Sequence, residues 1–339
     1  MKSIRVVAEH KYEVSIDKSF DRIRHHVPEG AVWVTTQSLR DILPIDFPTN
    51  RTIFVPDGEG QKSFDSLKEL LEQCAARGLT RSSTLVGVGG GATTDLVGFA
   101  ASIYMRGISW IAVPTSLAGM VDAAIGGKTG INIEAGKNLV GSFYSPRSVL
   151  IATDFLSTLS ERDLRAGMAE VIKCGFIADS TILALAADDL SSHITELISR
   201  SVQVKADVVS QDFKEGDRRE ILNYGHTLGH AIESHSKYSL RHGEAIAIGL
   251  LFAAEVSHRL GRLSSNDRDV HFTLISQLNL PSKYEGSAWP ALFDIMMRDK
   301  KRRGNGLRFV TLDSVGSTSR LDGLTNEILE PIYREVIAG

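Results

Sequence analysis

The chain has 339 residues, long enough for two domains with separate cores. Its 38 Lys and Arg against 41 Asp and Glu give a net charge of −3, which argues against nucleic acid or an anionic membrane as a partner. Two cysteines, Cys74 and Cys174, without a C-x-x-C, exclude a disulfide scaffold and a thiolate-built zinc site, and they fit a reducing cytoplasm.

Residues 4–16 read as one or two short strands; the opening MKSIRVVAEHKYEV alternates apolar and polar residues and lacks the apolar core of a signal peptide. Residues 18–28 look helical, and Ala31–Thr36 (AVWVTT) and Arg51–Pro56 (RTIFVP) read as strands. Helical spacing follows over Phe64–Arg77, then a strand at Thr84–Val88, a helix at Thr94–Tyr104 and a strand at Trp110–Val113. Strands alternating with helices predict a parallel α/β domain over 1–155, with ligands bound beyond the carboxyl ends of its strands. From Leu156 to the end the spacing predicts an all-α domain, with helices over 159–177, 180–209, 243–260, 267–278 and 288–298. No run of about 18 apolar residues occurs, so no membrane span is expected.

Within the first domain, VGVGGGATTD (86–95) is a strand, a glycine turn and a helix start. Such a turn lets backbone approach a pyrophosphate, and the helix end offers N–H groups and a positive dipole. The simple dinucleotide fingerprint also expects an acid about twenty residues on. RGISWIAV holds none, so either the match is accidental or the nucleotide is held in another way. The Gly-rich stretch 114–146 shows a buried-looking alternation and carries Asp122, Lys128, Lys137 and Asn138. Lysines in Gly-rich turns read as anion contacts, or more blandly as solvated surface charge.

Residues 218–244, RREILNYGHTLGHAIESHSKYSLRHGE, hold His226, His230, His235 and His242. Read as one helix from Arg219 to Glu233, Arg219, Asn223, His226 and His230 share a face, polar where a core stripe is expected. That face lines a cleft, or it is merely solvated. Gly225 and Gly229 are spaced like a close helix contact. The H-x-x-x-H pair His226 and His230 has metal-binding spacing, a weak signal alone, strengthened by His242 in the R-H-G-E turn. Glu170 and Lys173, in the otherwise apolar GMAEVIKCG, are either an ordinary ion pair or a buried one whose carboxylate completes a Glu/His/His metal site.

Taken in order, GEGQKS, GGGATTDLVGF, MRG, PTS, VDAAIGGKTGIN, GKNLVGSFYSP, AEVIKCG, REILNYGHTLGHAIE, RHGEAIAIG and RDKK resemble the 3-dehydroquinate synthase family of the sugar-phosphate cyclase superfamily, most of all its actinobacterial branch. The resemblance runs from about Glu59 to Phe309. It implies an N-terminal Rossmann-like NAD domain, a helical C-terminal domain holding a divalent metal (zinc or cobalt), a cytoplasmic enzyme and a homodimer. The implied reaction converts 3-deoxy-D-arabino-heptulosonate 7-phosphate to 3-dehydroquinate and phosphate. Its steps are transient oxidation by NAD, phosphate elimination, reduction, ring opening and aldol closure.

The residues that match the family's metal ligands are Glu170, His226 and His242, which makes His230 a substrate contact instead. Lys128, Asn138, Asn223, His230 and Lys300 match contacts to substrate and phosphate. Arg219 and Lys205 match the carboxylate and hydroxyl end, and Asp122 and Lys173 groups near the nicotinamide. Arg106 matches an arginine that reaches the neighbouring subunit's substrate. The nucleotide contacts carried over are Glu59, Lys62, Gly89, Gly90, Gly91 and Asp95, then Thr115, Ser116, Lys137 and Thr158, with Asp122 and Lys128 beside them. Departures from the family pattern, Thr94, Met120, Ser116 and the missing acid at Thr35–Thr36, lie on the cofactor side. Two other readings stand beside this one. A sibling cyclase would act on a sugar phosphate without a carboxylate, against which Arg219, Lys205 and Lys300 speak. A non-catalytic protein would have kept the fold alone, against which the intact ligand set speaks.

Overall fold

The computed structural model describes residues 1–44, 47–303 and 307–339, with backbone alone over 299–303. Two compact units result: Met1–Ser160 with Lys205–Lys214, and Glu161–Val204 with Glu215–Gly339. Against an expected single change near residue 155, the chain returns to the first unit at 205–214. No change of composition marks that return, because residues 205–211 continue one long helix.

The first unit contains β1 (Lys2–Val7), β2 (Lys11–Asp17), α1 (Phe20–Ile23), β3 (Val32–Thr36), β4 (Thr52–Val55), α2 (Phe64–Ala76), β5 (Thr84–Gly89), α3 (Gly91–Ile103), β6 (Ser109–Pro114), β7 (Lys128–Ile133), β8 (Gly136–Phe143) and β9 (Ser148–Ala152). Seven of these strands form one sheet in the order β1-β2-β9-β6-β5-β3-β4. Its pairings are parallel except β1 with β2 at the edge. Every residue of β3 and β5 is buried, so these strands read as unbroken runs rather than alternating ones. α3 lies hard against the sheet: a Cβ on Gly98 would stand 2.8 Å from the Trp110 ring, and one on Gly87 3.1 Å from Val97. That contact aims the N-terminus of α3 at the end of β5.

Two expectations for this unit need correction. α3 begins at Gly91, not Thr94, because the glycine turn is shorter than its composition suggests. The alternation in 114–146 is not uniformly buried. A π-helical turn at Gly119–Ala123 is followed by the antiparallel β7–β8 hairpin, whose second strand is largely exposed.

The second unit is built of α4 (Glu161–Ile177), α5 (Thr181–Ala187), the first part of α6 (Leu190–Gln211), α7 (His226–His235), α8 (His242–Arg259), α9 (Ser265–Gln277), α10 (Trp289–Arg303) and α11 (Asn326–Ile332). It also carries an antiparallel hairpin, β10 (Arg308–Ser314) and β11 (Ser317–Asp322), that the helical reading did not include. Every residue from Gly243 to Ser257 is buried, so α8 is the central helix, enclosed on all sides. The helix expected from Arg219 to Glu233 is two pieces. A 3-10 turn, Arg218–Asn223, ends at Tyr224, and Gly225 in left-handed backbone (φ 79°) redirects the chain into α7. Among the described residues no helix is long and apolar enough to cross a membrane.

Candidate active site

In the second unit, glycines bring three backbones together. A Cβ on Gly243 of α8 would stand 1.7 Å from the carbonyl oxygen of Ala166 on α4. One on Gly249 would stand 1.9 Å from that of Gly225, just before α7. His242 precedes Gly243, Glu170 lies one turn beyond Ala166, and His226 follows Gly225. Backbone contact at the glycines therefore points the three side chains at one another. His242 Nε2 lies 3.1 Å from Glu170 Oε1, and His226 Nε2 lies 3.5 Å from the same oxygen.

The far nitrogen of each ring is anchored. His242 Nδ1 donates to Glu233 Oε2 at 3.0 Å, and His226 Nδ1 donates to the Tyr224 carbonyl at 3.1 Å. With both Nδ1 atoms donating, both Nε2 lone pairs face a carboxylate. Acceptors facing acceptors need a positive charge among them, either a proton on a ring or a cation. One carboxylate oxygen and two imidazole nitrogens, within 4.8 Å of one another, form a donor set that zinc and cobalt accept with positions left for substrate. Outer partners on both rings are the arrangement that fixes tautomer and orientation in metal sites. The residues fit a divalent cation.

The local field agrees. Burial pushes the Glu170 carboxyl up, but Lys173, His226 and His242 outweigh it and hold it well below the usual range. Lys173, also fully buried, donates to Glu170 Oε2 and leaves Oε1 facing the imidazoles. Burial and the Lys173 charge keep His226 neutral, its pKa well below the ordinary value. For His242 burial works downward, while its bonds to Glu170 and Glu233 prevail and raise it. A cluster this polarised in a helical core is a functional-site signature.

His230 stands at the rim, its side chain 58% exposed and its ring 5.0 Å from that of His226. Its Nε2 is 4.0 Å from Glu233, so the H-x-x-x-H pair does not converge on Glu170. Arg219 is fully buried on the 3-10 turn, and Asn223 of the same turn donates to Glu215 at 3.1 Å. Glu220 braces that turn on the hairpin, through Arg308 at 3.2 Å and Arg320 at 3.4 Å. Lys300 falls outside the described side chains. Glu233, Tyr224 and the two contact glycines of α8 were not anticipated. Glu244 was not either: it accepts from the Arg241 backbone at 2.8 Å and from Nε and Nη2 of Arg162, at 2.6 and 2.7 Å, so α8 starts where it does. No spacing rule marks these residues, since each acts by packing or through another side chain.

In the first unit, Gly89 ends β5, Gly90 caps α3 and Gly91 opens it. Thr115 N donates to Gly89 O at 2.9 Å, and Ser116 Oγ would lie 3.4 Å from a Cβ on Gly90, so all five residues gather at the sheet's carboxyl end. Beside them Lys62, buried, donates to Asp95 at 2.6 Å and also to Asn138. Glu59 lies 3.8 Å from Lys62 and 3.9 Å from Lys137. Burial pushes the Asp95 carboxyl up to about 6, against the pull of Lys62. Lys205, brought into this unit by α6, bonds to the carboxylate and carbonyl of Asp122. Lys128 is exposed at the start of β7, and Arg106 is exposed in a turn with φ values of 50° at Met105 and 69° at Arg106. Thr158 caps its own turn, donating to Phe155 O at 2.6 Å.

Models of known families match the chain as 3-dehydroquinate synthase N-terminal over residues 52–166 and 3-dehydroquinate synthase C-terminal over 167–302. A curated 3-dehydroquinate synthase of Arthrobacter sp. (strain FB24) is 49% identical over 90% of this chain and 86% of its own length. That of Corynebacterium jeikeium (strain K411) is 43% identical over 97% and 95%. The chain belongs to the 3-dehydroquinate synthase family. Among solved structures, a 2-deoxy-scyllo-inosose synthase complexed with carbaglucose-6-phosphate, NAD+ and Co2+ superposes with a TM-score of 0.87 at 25% identity, covering 99% of this chain and 100% of its own. The 2-epi-5-epi-valiolone synthase ValA of Streptomyces hygroscopicus subsp. jinggangensis 5008, with NAD+ and Zn2+ bound, shares the fold with a TM-score of 0.84 at 23% identity, over 97% of each chain. These neighbours have the same two-domain architecture, a Rossmann-like unit and a helical one.

Proposed function

We propose that Glu170, His226 and His242 hold a divalent cation, zinc or cobalt, and that the loops at the end of β5 hold NAD. The enzyme converts 3-deoxy-D-arabino-heptulosonate 7-phosphate to 3-dehydroquinate and phosphate. The observation that carries the metal assignment is the pair of Nδ1-anchored imidazoles facing one oxygen of a buried carboxylate, at 3.1 and 3.5 Å. Bound there, the cation would supply Lewis-acid polarisation of the reacting hydroxyl oxygen, and NAD would supply a reversible hydride acceptor, so that the oxidation would cancel over the cycle.

The side chains do the rest. Glu233 and the Tyr224 carbonyl keep both ligand rings in one tautomer. Lys173 neutralises Glu170 and, near the reacting hydroxyls, favours loss of their protons. Arg219, buried and planar, holds the substrate carboxylate with two parallel bonds. Asn223 and the exposed His230 contact the sugar, His230 being placed to carry a proton to or from it. Lys128, Asn138 and Lys300 grip the phosphate. Asp122 and Lys205 order the hydroxyl end through their mutual pair. On the nucleotide side, N–H groups at Gly89, Gly90 and Gly91 receive the pyrophosphate. Glu59, Lys62, Asp95, Thr115, Ser116, Lys137 and Thr158 surround the rest of the cofactor.

The same reading makes the enzyme a cytoplasmic homodimer, with Arg106 reaching the neighbour's substrate. The exposed Arg106 turn and the burial of both cysteines support it. Turnover of the heptulosonate phosphate, but not of glucose 6-phosphate or sedoheptulose 7-phosphate, tests substrate choice. The reverse preference would make the enzyme a sibling cyclase.

A further inference from the structure

The Tyr224 side chain and His271 carry no role in the site described above, yet their bonds lead to it. Tyr224 is fully buried, and its hydroxyl donates to His271 Nε2 at 2.9 Å. His271, on α9 and equally buried, donates through Nδ1 to the Asp267 carbonyl at 2.8 Å. That bond sets the tautomer and leaves Nε2 as the acceptor for the phenol. The imidazole also stacks on Phe176 of α4, with centroids 3.5 Å apart and planes at 7°. One ring therefore links α9 to the helix that carries Glu170 and, through Tyr224, to the turn that precedes His226. An apolar side chain would fill the same space without two polar groups to satisfy.

We propose that His271 is a positioning residue for the metal ligand His226: by holding the Tyr224 hydroxyl it fixes the backbone carbonyl that orients the ligand's ring. The proposal rests on the ligand assignment given under Proposed function. The joint next to that carbonyl is Gly225, at φ 79°, whose backbone no side chain restrains. On one side the Gly225 oxygen packs on Gly249. On the other, the anchored Tyr224 ring leaves the intervening peptide a single orientation, and the His226 Nδ1 bond to it sets where Nε2 points.

The test titrates metal-free full-length enzyme with Zn2+ against a chromophoric chelator and records the visible spectrum with Co2+. Tyr224→Phe removes the hydroxyl but keeps the carbonyl. We expect Zn2+ affinity to fall about tenfold, as outer partners of metal ligands do, with a shifted Co2+ band. His271→Gln retains an acceptor for the phenol and should stay within about threefold of wild type on the same scale. The double variant Tyr224→Phe/His271→Phe leaves no buried polar group unpaired, so the melting temperature of the metal-free protein recovers while Zn2+ affinity stays low. Wild-type affinity in Tyr224→Phe, or affinity that recovers together with melting temperature in the double variant, overturns the proposal. His226→Ala separates the two readings. If that control keeps wild-type affinity, the ligand assignment itself falls; if it loses metal, an unchanged Tyr224→Phe refutes only the role of His271.

Discussion

Replacing Gly243 by Ala adds one methyl group and should dismantle the metal centre. Its Cβ would sit 1.7 Å from the Ala166 carbonyl oxygen, about 1.7 Å short of the 3.4 Å at which ordinary contact begins. Both partners are helix backbone, so no rotamer change relieves the clash, and α8 must move off α4. Overpacking of this kind costs about 1–3 kcal/mol, and backbone against backbone belongs at the upper end. Metal sites tolerate displacements of only about 0.2 Å. A shift of α8 by even half the overlap carries His242 away from Glu170 and leaves two of three ligands in place. Zn2+ affinity should then fall at least about 100-fold, the upper end for damage to a site's support. The far-ultraviolet dichroism should stay close to wild type. The assay is a competition titration with a chelator, paired with a thermal melt. A Gly243→Ala variant that melts as wild type and binds Zn2+ as tightly would refute the claim that this helix contact sets the ligand geometry.

Arg219→Ala should lower kcat/KM by the equivalent of about 2–3 kcal/mol, the worth of a buried charge-assisted bond; unchanged steady-state kinetics would remove Arg219 from the substrate site. His242→Ala should abolish metal binding and turnover with the fold intact by dichroism, and full activity in a chelator-treated sample would contradict its assignment. Stability should fall in mild acid. Burial lowers His271 to about 3 in the folded state, whereas an unfolded histidine titrates near 6.5. Between those values the unfolded chain binds the extra proton, so this term is whole above about pH 6.5 and shrinks as pH falls toward 3. By pH 5 the loss is about 2 kcal/mol relative to pH 7, and denaturant melts of His271→Gln should lack that part of the slope; equal slopes in variant and wild type would show that His271 titrates normally.

The parallel sheet was legible because β3 and β5 are buried on both faces and so read as unbroken apolar runs between glycine turns. β9, close behind a Gly-rich stretch, has no signature of its own, whereas the β10–β11 hairpin does, Gly316 at φ 84° between two strand-like runs, but it stands in a half of the chain that otherwise reads as helix. The break at Tyr224–Gly225 escaped notice for a physical reason. No proline stands there, and a glycine inside a helical pattern is tolerated; what turns the chain is the fit of Gly225 against Gly249, a contact remote in sequence. The spacing of Gly225 and Gly229 did announce a close helix approach, and a Cβ on Gly229 would indeed meet Ile246 at 2.6 Å. Glu170 was visible as an acid in an apolar helix. The choice of His242 over His230 as its partner was beyond spacing, because it depends on how α8 lies on α4. Glu233 and Tyr224 gave no signal, since they act on His242 and His226 and belong to no spacing of their own.

The position of the cation is the deciding observation. Diffraction from crystals of the metal-loaded enzyme, collected at the absorption edge of zinc or cobalt, locates it without reference to activity. The expected result is one strong anomalous peak about 2.0–2.2 Å from a Glu170 oxygen, His226 Nε2 and His242 Nε2. A peak bound by other side chains, with these three pointing apart, would contradict it.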